Sequence, residues 1–227
     1  VQGKIRNQRE HLLRHRRRHG GTQALERSIQ ALAAARLRAR LARSLDEARG
    51  CEGAASAAYF RAFGDLLRSG ELTFGHRNRR PPMDPVNALL SFGYTRLFNV
   101  VHGAVTRVGL DPYLGALHAP LAGRPSLVCD LVEELRAPVV DVLVVAAVNK
   151  RAVQARDFEH QGPGEPVVLP RETLRWVTQL FEQRMETLVR YPRFEQRLPF
   201  HNIIEQQARL LARHLVEGCP YSPYQMP

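Results

Sequence analysis

Apolar residues recur at near-helical intervals through most of the chain, and strand-like alternation is confined to one short stretch. Leu25, Ile29, Leu32, Leu37, Leu41 and Leu45 keep this spacing behind Thr22, a credible N-cap, so one helix is expected over residues 22–50. Arg36, Arg38, Arg40 and Arg43 fall on its other face. Residues 51–69, rich in Ala and carrying Tyr59, Phe60 and Phe63, read as the next helix, and 70–82 as a loop. Asp84-Pro85 has the order, cap then proline, that opens a helix running here to about residue 108. Asp111-Pro112 repeats that order and predicts a short helix ending near His118. One long helix is expected over 126–151, with Leu127, Leu131, Leu135, Val139, Val142 and Ala146 on its apolar side. Residues 154–170, with Gly, Pro and Val167-Val168-Leu169, have the composition of a small hairpin. Helices over 171–191 and 201–217 and an irregular tail from Cys219 complete the pattern. The expected fold class is therefore all-α, a single domain of eight or so helices with at most one small β-hairpin.

Composition narrows this reading. The 227 residues, 44% hydrophobic and 24% charged, suffice for a real core and exclude a disordered tail. The longest apolar run, residues 137–148, is short and interrupted by Asp141, so no membrane span is expected. Cys51, Cys129 and Cys219 are odd in number, widely spaced and without a CxxC, which suggests a reducing compartment and no structural zinc. The opening Val1-Gln2-Gly3-Lys4 looks like neither a signal peptide nor a natural start, and an upstream portion is expected.

The net charge of +11 is unevenly placed. Residues 1–50 hold 13 Lys+Arg and 4 Asp+Glu, a net of +9, while the rest of the chain carries only +2. A block of this kind points to a polyanion, most often nucleic acid, although a solvated helix face gives the same composition. The densest run, His15-Arg16-Arg17-Arg18-His19, stops at Gly20-Gly21.

Candidate chemistry lies elsewhere. Asp130 and Glu133, three apart on a helix, project within about 60° of each other and off the apolar stripe, as do Glu134 and Asp141. Such a pair can share a hard cation, or it is an ordinary acidic face with Glu133 paired to Arg136. His118, just before the turn feeding that helix, can fold back towards the pair, or is a surface residue at a helix end. Glu52 is a fourth candidate, and equally an acid favoured by a first turn; no spacing rule joins it to the others. GxSxG, HExxH and Walker-type loops are lacking, Ser91 and Ser126 have no adjacent base, and Cys129 beside Asp130 counts as a core residue.

The segment Arg79-Arg80-Pro81-Pro82-Met83-Asp84-Pro85-Val86-Asn87-Ala88-Leu89-Leu90-Ser91-Phe92-Gly93-Tyr94 resembles the signature of the CRISPR adaptation integrases, the catalytic subunit of the spacer-acquisition complex. Gly109-Leu110-Asp111-Pro112-Tyr113-Leu114-Gly115, His118, Gly123-Arg124-Pro125-Ser126-Leu127 and Asp130-Leu131-Val132-Glu133-Glu134-Leu135-Arg136 follow in that family's order. Upstream, Gly3-Lys4-Ile5-Arg6-Asn7-Gln8-Arg9 looks like its interdomain lead-in, and Glu52-Gly53-Ala54-Ala55 with Tyr59-Phe60 looks like its first metal-ligand motif. Asp157-Phe158 also fits.

The resemblance implies that Glu52, His118 and Glu133 bind a catalytic divalent ion, Mn²⁺ or Mg²⁺, with Asp130 a second acid beside it. Two carboxylates and an imidazole agree with that choice. It implies a metal-dependent DNA integrase and endonuclease, joining the 3′-hydroxyl of a short DNA fragment to a repeat by transesterification and cleaving branched DNA by the same route. Charge and proximity in sequence add Arg77, Arg79, Arg80, Arg124 and Lys150 as DNA-phosphate contacts. Members form homodimers that associate with a small partner subunit in the prokaryotic cytoplasm, and some are fused to an upstream module. Residues 1–21 are then a basic lead-in helix and interdomain junction, and 22–227 the all-helical catalytic domain. The family's N-terminal β-rich domain is absent from this chain, as in a truncation or a fusion. The alternative is a noncatalytic helical DNA-binding scaffold of the same fold.

Overall fold

A computed structural model describes residues 1–160, 162 and 164–227. Eight α-helices dominate them, with the all-α class as expected. The first three are α1 (Gln2–His19), α2 (Gln23–Leu41) and α3 (Leu45–Arg61). Thr22 caps α2 as anticipated, its hydroxyl accepting from the Leu25 N–H at 3.0 Å, an interaction worth about 1 kcal/mol.

The single helix expected over 22–50 is instead two. Ser44 caps α3 by accepting from the Glu47 N–H at 3.1 Å, while the Glu47 carboxylate accepts from the Arg43 N–H at 2.7 Å. The chain folds back there, and α2 and α3 pack as a hairpin, with α1 against α2. Leu37, Leu41 and Leu45 lie on the exposed tip of that hairpin and not in the core, because the turn carries them past the packed faces. Helix α3 continues straight through Gly50 and ends at Arg61, short of the expected 69, followed by a 3₁₀ turn at Phe63–Leu66.

Helix α4 (Pro85–Val108) opens and closes as the sequence predicts: the Asp84 side chain accepts from the Asn87 N–H at 2.8 Å, and Gly109 ends it in the left-handed conformation. It runs through the core against the later helices, and α8 (Phe200–Glu217) lies along it. The expected helix over 111–118 does not form. Asp111 directs its carboxylate to the Tyr113 N–H at 2.8 Å, a local turn, and the following amides bond elsewhere.

The long helix expected over 126–151 is broken into α5 (Ser126–Val132), a π-helical stretch at Arg136–Asp141, and α6 (Val142–Asn149). Pro138 sits in that stretch; it lacks an N–H and its ring crowds the preceding turn, so the regular ladder cannot pass through it. The reorientation turns Glu133, Glu134 and Asp141 inwards, which corrects their expected place off the apolar side.

Two small antiparallel hairpins complete the described residues. One pairs β1 (Glu159–His160) with β2 (Val167–Val168), as anticipated; positions 161 and 163 of its connection lie outside the described residues. The second, β3 (Val189–Tyr191) with β4 (Gln196–Leu198), replaces the end of the helix expected over 171–191, so α7 stops at Met185 (Arg171–Met185). One continuous apolar core joins α1 through α8, centred on Ile5, Leu12, Tyr59, Leu90, Val140 and Ile203. Tail residues Tyr224 and Met226 are buried against it. No described helix is long and apolar enough to cross a membrane, and the three cysteines are unpaired.

Candidate functional site

Glu52 lies midway along α3, not in a first turn, so the helix dipole does not explain an acid there. Glu133 lies just past α5, nearly buried. Between them stands Lys4, from the first turns of α1. Its ammonium contacts Glu52 Oε1 and is 2.6 Å from Glu133 Oε2. Two carboxylates distant in sequence thus converge on a single cationic nitrogen.

The contact to Glu133 Oε2 is a close, buried ion pair. The other Glu133 oxygen pairs with Arg136 Nη2 at 3.2 Å, the local pairing the spacing allowed. Burial pushes the Glu133 carboxyl upwards, but Lys4 and then Arg136, with a further contribution from His118, outweigh it and hold the group below the usual carboxylate range. Glu133 is therefore an ionised, nearly buried carboxylate with a cation of the chain at each oxygen. The Ser56 hydroxyl, one turn along α3, is 3.3 Å from Glu52 Oε1 and donates to it.

His118 lies in the irregular segment between α4 and α5, and Asp130 of α5 fixes it. Asp130 Oδ2 accepts the Ala116 and Leu117 N–H groups at 2.6 and 3.0 Å. Asp130 Oδ1 accepts the His118 N–H at 2.9 Å and contacts its Nδ1 at 2.6 Å. A carboxylate oxygen only accepts, so Nδ1 carries a proton towards Asp130 and Nε2 is the ring nitrogen not engaged by it. This is the carboxylate–histidine pairing that orients a metal-ligating imidazole. Arg49 of α3 clamps the same loop, with Nε and Nη2 donating to the Leu117 carbonyl at 2.9 and 2.7 Å. Gly115 lets the loop close: a Cβ there would stand 2.7 Å from the His118 carbonyl oxygen and from backbone of Ser126.

A buried polar chain supports the pair from behind. His11 Nδ1 is 2.8 Å from the Tyr59 hydroxyl, which donates to Asp141 Oδ2 at 2.8 Å. Asp141 Oδ1 accepts from Tyr94 at 2.5 Å, and Arg136 stacks over the Tyr94 ring, 4.7 Å from its centre. Since Tyr59 gives its proton to Asp141, His11 donates to Tyr59. Burial, followed by the positive charges of Arg14 and His15, lowers the His11 pKa to about 3, so the ring is neutral.

The predicted site residues thus fall into two neighbouring groups: Glu52 with Glu133 around Lys4, and His118 with Asp130. As they stand, among the described residues, no three His, Cys, Asp or Glu side chains form a ready metal cluster. The donor chemistry nevertheless fits a hard divalent ion, with two carboxylates meeting one cation and an imidazole on a fixed loop beside them. Sequence reasoning missed Lys4, Arg49 and Tyr94 as parts of this region, while it had paired Arg136 with Glu133 and set Tyr59 in the Glu52 motif.

The basic candidates divide. Arg77 is engaged inside the fold with Asn87 Oδ1 at 2.7 Å and Ser91 Oγ at 3.0 Å, while Arg79 and Arg80 are exposed. Arg124 ties its own turn to Ser126 and Ala119, and Lys150 is exposed just past α6. A cavity of about 500 Å³ beside the carboxylates is walled by Lys4, Arg6, Arg36, Asp130 and Glu133. A second, of about 410 Å³, includes Ser56, Arg61, His76, Arg77 and Arg79.

Residues 1–183 match the family model described as CRISPR associated protein Cas1. A Rhodospirillum rubrum protein, CRISPR-associated endonuclease Cas1 2, is 40% identical over 224 residues, covering 95% of the chain and 65% of that protein. A Geobacter sulfurreducens protein described as a CRISPR-associated exonuclease Cas4/endonuclease Cas1 fusion is 40% identical over 185 residues, 79% of the chain and 33% of that protein. Among solved structures, a chain of a partial Cas6-RT-Cas1--Cas2 complex superposes with a TM-score of 0.84 at 26% identity, over 100% of this chain and 66% of that one. The chain thus spans just under two thirds of the R. rubrum relative.

Proposed function

The chain belongs to the Cas1 family of CRISPR-associated proteins, and from that membership we propose that it is the catalytic domain of a metal-dependent DNA integrase and endonuclease. The observation that carries this reading is the convergence of Glu52, from α3, and Glu133, from the turn after α5, on one cation beside a loop-fixed His118. Those three side chains would hold Mn²⁺ or Mg²⁺, with Asp130 orienting His118. A bound divalent ion supplies Lewis-acid stabilisation of the charge that develops on phosphate oxygens.

The chain's own residues prepare that chemistry. Glu133 is kept ionised by Lys4 and Arg136, Glu52 is presented from the middle of a helix, and the His118 ring is anchored through Nδ1 to Asp130. Arg6 and Arg36 make the adjoining cavity attractive to a phosphate backbone, and exposed Arg79 and Arg80 extend the positive surface. The proposed reaction is attack by the 3′-hydroxyl of a short DNA fragment on a repeat phosphodiester: one P–O bond forms to the incoming oxygen and one breaks to the displaced strand. Water in place of the hydroxyl gives cleavage.

The proposed partners are DNA, a second copy of the chain and a small partner subunit. The relative that is part of an assembly with Cas2 and the fusion with Cas4 support the last of these and an adjoining upstream module. His118→Ala and Glu133→Ala should each abolish Mn²⁺-dependent strand transfer into a repeat-containing duplex while the circular dichroism spectrum is kept. Full activity in both variants contradicts the assignment. Binding of DNA in EDTA with no strand transfer or cleavage in Mn²⁺ by the unaltered chain favours the noncatalytic scaffold.

A further inference from the structure

Lys4 is buried, on a face of α1 that also buries Ile5, Asn7, Gln8, His11 and Leu12. A buried ammonium persists only with charge partners, and here it has two, Glu52 and Glu133. Arg136 supplies a second positive charge to Glu133, so the two carboxylates are already neutralised by two cations of the chain itself. Adding a divalent ion to this neutral cluster places it against an ammonium at contact distance, where repulsion is strong in so dry a place. The ammonium must therefore leave.

The means to leave are present. Lysine carries its charge on a flexible four-carbon stem. The cavity of about 500 Å³ has Lys4 in its wall and gives the stem somewhere to swing.

We propose that Lys4 is the resident counter-ion of the carboxylate pair, holding Glu52 and Glu133 together in the metal-free chain and competing with the divalent ion for them. The inference rests on the reading that these two acids are metal ligands. Lys4 is then a positioning residue whose removal leaves the empty site repulsive and the occupied site tighter. Purely structural roles for Lys4 predict a weaker fold and no gain in metal affinity.

The test is Mn²⁺ titration by calorimetry, with thermal unfolding in EDTA, for the unaltered chain, Lys4→Met and Glu133→Gln. Lys4→Met should bind Mn²⁺ at least tenfold more tightly, melt lower in EDTA, and recover on adding Mn²⁺. Lys4→Gln, which keeps a polar head without the charge, should show the same tightening if Lys4→Met fails to fold. Affinity in the folded Lys4 variants equal to or below that of the unaltered chain overturns the proposal, while impaired binding by Glu133→Gln in the same experiment leaves the ligand reading standing. Unimpaired binding by Glu133→Gln, or no Mn²⁺ binding by any of the chains, overturns both.

Discussion

Asp130 grips His118 twice, through its backbone N–H at 2.9 Å and through ring Nδ1 at 2.6 Å, both on a single carboxylate oxygen. The residue read from sequence as half of a DxxE pair is thereby committed to a loop, and its other oxygen serves the amides of Ala116 and Leu117. Glu133, three positions on, contacts Lys4 instead. The two acids divide the labour: one holds the imidazole, the other holds cations of the chain itself.

Asp130→Ala removes every one of those acceptors. Metal affinity should fall by about 10–100-fold, the usual consequence of losing the partner that orients a metal-ligating histidine. Mn²⁺ titration checks this; an unchanged affinity contradicts the orienting role.

Gly115→Ala places a methyl 2.7 Å from the His118 carbonyl oxygen and from Ser126 backbone, neither of which can yield as a side-chain tip would. Overpacking of this kind costs about 1–3 kcal/mol. The melting temperature should drop by roughly 2–4 °C per kcal/mol in a chain of this size, with a parallel loss of strand transfer. A variant with unchanged melting and activity shows that the loop closes differently.

His11 makes stability depend on pH. Its folded pKa, about 3, lies below the ordinary 6.5, so the unfolded chain takes up a proton that the folded chain refuses. The stabilisation is complete above pH 6.5 and is lost as pH falls from there towards 3, with a slope approaching about 1.4 kcal/mol per pH unit. Urea unfolding of the unaltered chain and His11→Gln at about pH 7.5, 6 and 5 should give curves whose difference shrinks on acidification. Parallel curves contradict a buried neutral His11.

Arg79 and Arg80 are exposed and free to meet phosphate, whereas Arg77 is bound up with Asn87, Ser91 and the Tyr94 ring. Arg79→Ala with Arg80→Ala should weaken DNA binding and lower the slope of log K against log salt by about one for each phosphate no longer neutralised. Arg77→Ala should instead lower the melting temperature. Equal salt slopes for the unaltered chain and the doubly substituted one argue against phosphate binding at these positions.

Helix ends carrying their own chemistry were legible in the sequence: Thr22 before α2 and Asp84-Pro85 before α4 act as read. The break before α3 also had a sign, the Ser44-x-x-Glu47 capping pattern, overridden by leucines that keep helical spacing across the turn. Pro138 signalled the interruption after α5, although a proline does not say which way the chain leaves it. Periodicity could not foresee that Glu134 and Asp141 would turn inwards, where Gln207 and Tyr221 bond the first and Tyr59 and Tyr94 the second. Nor could any local pattern join Glu52 to Glu133. That approach depends on α1 packing beside α3 and the segment after α5, and on a lysine whose partners lie 48 and 129 positions away. The family resemblance put those two residues together where spacing rules had nothing to offer.

Anomalous diffraction from crystals of the chain soaked in Mn²⁺ would decide whether Glu52, Glu133 and His118 share one ion. One strong peak is expected, with oxygens of Glu52 and Glu133 and His118 Nε2 at about 2.0–2.6 Å, and the Lys4 ammonium withdrawn from its present place. A peak elsewhere, or none with Lys4 still seated between the two carboxylates, contradicts a metal centre built on these residues.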